Sequence, residues 1–95
     1  MKAVWREQVI AHSKDVRIIE GNVYFPPHSV SYKYLRPSKT HTECPHKGRA
    51  SYYDVFFEEE VERDVAWFYP DPKDPWGDIK DYVAFQHGVE VVEDW

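Results

Sequence analysis

The chain has 95 residues, 42% hydrophobic and 31% charged, with a formal net charge of -5 and one cysteine. That length makes a single domain over residues 1–95, burying roughly 65% of the surface exposed when unfolded around one hydrophobic core. A lone cysteine excludes an internal disulfide and a two-cysteine redox cycle, and apolar runs such as VAWFY and VFF are too short to span a bilayer.

Aromatic residues make up 17% of the chain and helix-period apolar patterning is scarce, so a mainly β fold is predicted. In chain order, strands are predicted at 3–5, 9–12, 16–20 and 23–25. The segment FPPHSVSYKYLRPS, bracketed by Pro26-Pro27 and Pro37, breaks the rhythm and is expected to hold a short helix. Strands follow at 41–44, 49–57 and 61–69. The proline-punctuated stretch YPDPKDPWGDIKDY reads as a loop with a brief helical turn near 78–81, and the last strands are 82–86 and 89–92. Hairpin turns are expected at Gly21-Asn22, at Glu58–Glu60 and at His87-Gly88.

The charge is uneven. Residues 1–50 carry nine Lys or Arg against four Asp or Glu, and residues 51–95 carry three against thirteen. The plain expectation is that the halves fold against each other and pair their charges. A sharper one is a basic patch for an anionic ligand, because Lys33, Arg36, Lys39, Lys47 and Arg49 face only Glu43 within residues 28–49. Nucleic acid is not expected as a partner, since the remaining acidic surface would repel a phosphate backbone. No membrane partner is expected either. Charges at Lys2, Arg6 and Glu7 do not fit a secretory signal, and a soluble, cytoplasmic protein is anticipated.

The stretch THTECPHKGRASYY, residues 40–53, concentrates reactive groups. In an extended strand His41 and Glu43 share one face while Cys44 and His46 share the other. Zinc at His41, Cys44 and His46 would need a bend at Pro45 and a fourth ligand, and no Cys-x-x-Cys pair supplies one. Cys44 as a nucleophile has His46 and Lys47 close in sequence to activate it, against the ordinary role of a small buried hydrophobe. Gly48 reads as a turn or bulge leading into the strand ASYYDVFF, apolar on both faces and therefore central. Pairing that strand with VERDVAWFY brings Tyr52 or Tyr53 near Trp67 and Tyr69, as core or as a cage open at one end for a flat group.

The set EGNVYFPP, LRPS, CPHKGRASYYDV, VAWFYPDP, IKDYVAF and GVEV resembles, nearly end to end, domain-of-unknown-function family 427. That family's usual centre is Cys-Pro-Trp-Lys-Gly, a Tyr pair, then Ala-Trp-x-Tyr. Here these are Cys44, Pro45, Lys47 and Gly48, then Tyr52 and Tyr53, then Ala66, Trp67 and Tyr69, with His46 in place of the tryptophan. The resemblance implies a small β-tent of two antiparallel sheets, similar in fold to B-type methionine sulfoxide reductases and the cereblon ligand-binding domain. Several relatives pin their sheets with zinc-binding CxxC pairs; this chain has none, so the scaffold without structural zinc is implied. A nucleotidyltransferase would need a Gly-Ser pair and an Asp-x-Asp for two metal ions, and neither occurs here.

The leading expectation is a small-molecule binding domain with its pocket between the sheets, walled by Tyr53, Trp67 and Tyr69 and edged by Cys44, His46 and Lys47. No cofactor and no metal are expected. The alternative is a cysteine-dependent enzyme acting through Cys44, with His46 or His41 as proton carrier. A third possibility is an assembly module presenting Trp76 and Trp95. His12, His28 and His87 are expected to be solvated, as are Asp71, Asp74, Asp78 and Asp81. Oligomeric state, ligand identity and turnover are not specified by the sequence.

Overall fold

The protein, described over residues 1–94 by a computed structural model, opens with the hairpin of β1 (Lys2–Trp5) and β2 (Gln8–His12). Next come β3 (Arg17–Ile19), β4 (Asn22–Phe25), β5 (Leu35–Cys44), β6 (Gly48–Phe57), β7 (Glu60–Phe68), β8 (Val83–Phe85) and β9 (Glu90–Val92). They form a smaller sheet in the order β2-β1-β9 and a larger one in the order β3-β4-β8-β7-β6-β5, with every neighbouring pair antiparallel. This is the expected mainly β fold of two antiparallel sheets. No helix among the described residues is long and apolar enough to cross a membrane.

The main core lies between the sheets. Ala3, Trp5 and Ile10 from the smaller sheet meet Phe25, Val55, Val65, Ala66, Val83 and Phe85 from the larger. A second, smaller core covers the opposite face of the larger sheet, where Ile19, Tyr24, Ala50, Tyr69 and Ala84 pack with Ile79 of the 70–82 segment. Alternation explains the division: Val83 and Phe85 point into the main core, and Ala84 between them points into the other.

Three features differ from the sequence expectation. Strand β5 begins at Leu35, and the segment before it holds two 3-10 turns, Pro27–Ser29 and Tyr32–Tyr34, instead of a short helix reaching Pro37. Pro37 is tolerated because β5 is an edge strand, with a register shift between Pro37 and His41. His87-Gly88 is not a hairpin turn: β8 belongs to the larger sheet and β9 pairs with β1, so this is a crossover between sheets. It passes close to Glu62, whose carboxylate a Cβ at Gly88 would strike. Of the other turns, the first is displaced by one residue to Glu20-Gly21, since Ile19 pairs with Asn22, and the second is shortened by one to Glu58-Glu59, since Phe57 pairs with Glu60.

A bulge interrupts β6 and β7. Tyr53 pairs with Ala66 and Val55 with Glu62, so Asp54 alone faces residues 63–65. Asp64 adopts φ 53° there, its N–H donates to Asp54 Oδ1 at 2.9 Å, and its carboxylate accepts from Ser38 Oγ at 2.5 Å and Thr40 Oγ1 at 2.8 Å. The Ser38 hydroxyl, opposed by burial and helped by Thr40, holds the Asp64 carboxyl below its usual pKa. The halves of the chain do pair their charges, through Arg6 with Glu60, Arg17 with Asp78, Arg36 with Asp54, and Lys2 and the N-terminal amine with Asp94.

Candidate functional site

One row of residues runs across four strands on the outer face of the larger sheet. Tyr24 stands opposite Ala84, Ala84 opposite Trp67, and Trp67 opposite Tyr52. Ala84 contributes only a methyl group, wholly buried, which leaves room for the rings on either side to meet over it. Across it the Tyr24 and Trp67 rings meet edge to face, 6.2 Å apart at 87°. Trp67 Nε1–H and the Tyr24 hydroxyl are hydrogen-bonded at 3.3 Å, and the Tyr52 hydroxyl is bonded to Thr42 Oγ1 at 3.0 Å.

These rings and Tyr69 wall a cleft of about 400 Å³. Its other borders are Cys44, His46 and Lys47 at the β5–β6 turn, Glu20 and Asn22 at the β3–β4 turn, and Gln86 after β8. Gln86 is fixed by its amide, which donates from Nε2 to the Asp64 carbonyl at 2.8 Å.

The β5–β6 turn is built to hold Lys47. Its backbone N–H donates to Cys44 Sγ at 3.4 Å, and its carbonyl accepts from Lys73 N–H at 2.9 Å, tying the turn to the 70–82 segment. The buried Lys47 side chain bonds the Glu20 carboxylate, and its Nζ lies 4.8 Å from the Trp76 ring centre. The Glu20 bond outweighs burial and holds the Lys47 ammonium above its ordinary pKa, while Lys47 holds the Glu20 carboxyl below its own. Burial pushes the Cys44 thiol up, but the backbone N–H groups of Lys47 and His46, with the Lys47 charge, pull it down by more. The net effect is a thiol below its ordinary pKa. Burial, then the neighbouring Tyr24 and Cys44, keep the Tyr69 hydroxyl protonated far beyond the usual phenol range.

Gly48 sits at φ 110°, where residues with a Cβ are strained, and a Cβ there would stand 3.3 Å from the Asp71 carbonyl oxygen. Gly48→Ala is therefore expected to cost about 1–3 kcal/mol and to loosen the 70–82 segment. A lowered thermal midpoint together with faster amide exchange at Lys73 checks this. An unchanged midpoint would mean that β6 starts equally well from another backbone conformation.

Of the residues singled out from the sequence, Cys44, His46, Lys47, Trp67 and Tyr69 border this cleft. Tyr53 does not. It packs against the main core, stacked on Phe68 with ring centres 4.7 Å apart and edge-on to Tyr32. The cleft likewise lies on the outer face of the larger sheet, not between the sheets. His41 points elsewhere, 3.3 Å from Ser51 Oγ through Nδ1. Among the described residues no group of three or more His, Cys, Asp or Glu is placed to hold a metal ion. Trp76 is half-buried over Lys47, and Trp95 lies outside the described residues.

Sequence reasoning missed Glu20, Asn22, Tyr24 and Gln86 as cleft residues, and of the two alternatives Tyr52 and Tyr53 it placed Tyr53 in the pocket wall where Tyr52 stands. The signal for two of them was present, because Asn22 and Tyr24 alternate with the inward Val23 and Phe25. Nothing local pointed to Glu20 or Gln86, which reach the cleft from the edge of one hairpin and the end of a short strand.

Fold and cleft together define a small antiparallel two-sheet β domain with an aromatic-walled depression on the outer face of its larger sheet. The chain belongs to the family described as Domain of unknown function (DUF427), which it matches over residues 1–95. No curated protein matches it.

Proposed function

We propose that the domain binds a small planar molecule in the outer cleft, with its body against the Tyr24, Tyr52 and Trp67 rings and a polar group directed to Lys47. The observation that carries this reading is the aromatic row itself. The Tyr24 and Trp67 rings meet over the buried Ala84 methyl, Tyr52 continues the row, and about 400 Å³ beside these rings is open on a sheet face that the 70–82 segment covers only in part. That volume suits a ligand of one or two fused rings. Neutral amides at Asn22 and Gln86 would orient it. A free single cysteine suits a reducing compartment, and we read the domain as cytoplasmic.

Titration with indole, adenine and benzamide, followed through the Trp67 indole N–H resonance, tests the reading. At least one is expected to give a saturable shift that Tyr52→Leu weakens by about tenfold, the equivalent of one lost stacking contact. If none of the three moves that resonance, the aromatic cleft is core packing and the reading falls.

A second reading has its own observation. The lowered pKa of the half-buried Cys44 thiol, on the wall of the same cleft and bonded by the Lys47 N–H, favours thiol chemistry on a small electrophile. Under it the rings would position the electrophile and Cys44 would attack.

A further inference from the structure

The Lys47–Glu20 pair is lopsided. The Lys47 side chain is 6% exposed and that of Glu20 is 70% exposed. The cation belongs to the fold: its backbone is bonded on both sides, to Cys44 and Lys73, and its ammonium lies under Trp76. The carboxylate reaches in from the tip of the β3–β4 hairpin, where Glu20 has φ 55°, and its hydrogen bond to the ammonium is its link to the cleft. Withdrawing Glu20 would return its carboxylate to water at little cost, but would leave a buried ammonium without a partner, which is costly. Lys47 therefore requires an anion without specifying which one.

Resting on the planar-ligand reading, we propose that Glu20 is an exchangeable counter-ion and that the cleft's ligand is an aromatic carboxylate, whose own carboxylate takes the place of Glu20 on Lys47. Both partners of the pair border the same cleft as Tyr24 and Trp67, so an anion delivered to Lys47 brings any attached ring to the aromatic walls. Lys47 is the only Lys or Arg among the cleft residues. A single compact ammonium matches one monovalent carboxylate, whereas a phosphate dianion would call for further donors and would meet an acidic chain of net charge -5.

Benzoate, benzamide and acetate test this on the full chain, in the native protein and in Glu20→Ala, with the Gly48 amide and Trp76 indole resonances as readout. Glu20→Asn is the companion variant, because asparagine accepts the left-handed backbone at position 20 and is one methylene shorter than the native side chain. In either variant benzoate is expected to bind at least tenfold more tightly than in the native protein, and more tightly than acetate, while benzamide binds alike in all three proteins. Equal benzoate affinity in native and variant proteins, no saturable response to benzoate in any of them, or an equal gain for benzamide overturns the exchange. If benzoate gains tenfold but binds no better than acetate, the rings contribute nothing. The planar-ligand reading then falls, and this ligand class falls with it.

Discussion

Trp5→Ala should lower the stability of the domain by about 3–5 kcal/mol. Trp5 is 1% exposed and is the largest side chain that the smaller sheet inserts into the main core. Its indole Nε1–H donates to Glu62 Oε1 on β7 at 2.8 Å, so one residue both fills the space between the sheets and hydrogen-bonds one to the other. Truncation leaves a cavity and strips a half-buried carboxylate of its donor. Against a total stability of about 5–15 kcal/mol for a domain of this kind, that loss is about a fifth or more of the whole. Trp5→Phe separates the two contributions, because it keeps most of the volume and loses the hydrogen bond to a charged group, worth about 1.5–3 kcal/mol. Urea unfolding of both variants measures the difference. Equal losses would mean that the Glu62 bond is the whole effect and that the smaller sheet packs loosely.

Iodoacetamide should alkylate Cys44 with a pH profile whose midpoint lies below that of the same thiol in the urea-unfolded chain. The thiolate is the reacting form, so a lowered pKa moves the rising limb of the profile to lower pH and raises the rate near neutrality. Lys47→Met keeps the length of the side chain and removes the charge, leaving Glu20 in water. It should shift the midpoint upward and slow the reaction at pH 7 by several-fold, while the bond from the backbone N–H at position 47 persists. A native midpoint at or above that of the unfolded chain would remove the thiol-chemistry reading and leave Cys44 as a wall of the proposed binding cleft. A low midpoint unaffected by Lys47→Met would assign the activation to the backbone N–H groups alone.

The strand plan was legible because turn residues and β-branched runs punctuate the chain, and eight of the nine strands fall near their expected places, while β5 starts at Leu35 instead of at 41. The faces were harder to read. A Glu58–Glu60 turn would pair Tyr53 with odd-numbered positions of β7 and so set it beside Trp67. The actual turn is Glu58-Glu59, which pairs Tyr53 with Ala66 and puts Tyr52 opposite Trp67 instead. A change of one residue in a hairpin loop exchanges the two faces of the strand, so the choice between Tyr52 and Tyr53, open in the sequence, depends on the length of that turn. The bulge at Asp64 adds two residues to β7 opposite Asp54, so the parity set by the turn survives it. The cluster of Cys44, His46 and Lys47 was legible because turn residues adjacent in sequence stay adjacent in space. Glu20 was not, because its position depends on β3 and β4 lying at the far edge of the sheet from β5, with the β5–β6 turn reaching back toward them through the 70–82 segment.

The two faces of the larger sheet carry unequal shares of the packing. Phe25, Phe68 and Tyr53 face the smaller sheet, and their neighbours Tyr24, Trp67 and Tyr52 face the cleft. Tyr24, 2% exposed, also belongs to the smaller core, whereas Trp67 and Tyr52 are half-buried at its edge. Under the planar-ligand proposal, substitutions at Trp67 and Tyr52 would alter the cleft one outward side chain at a time, each leaving the packing between the sheets as it was.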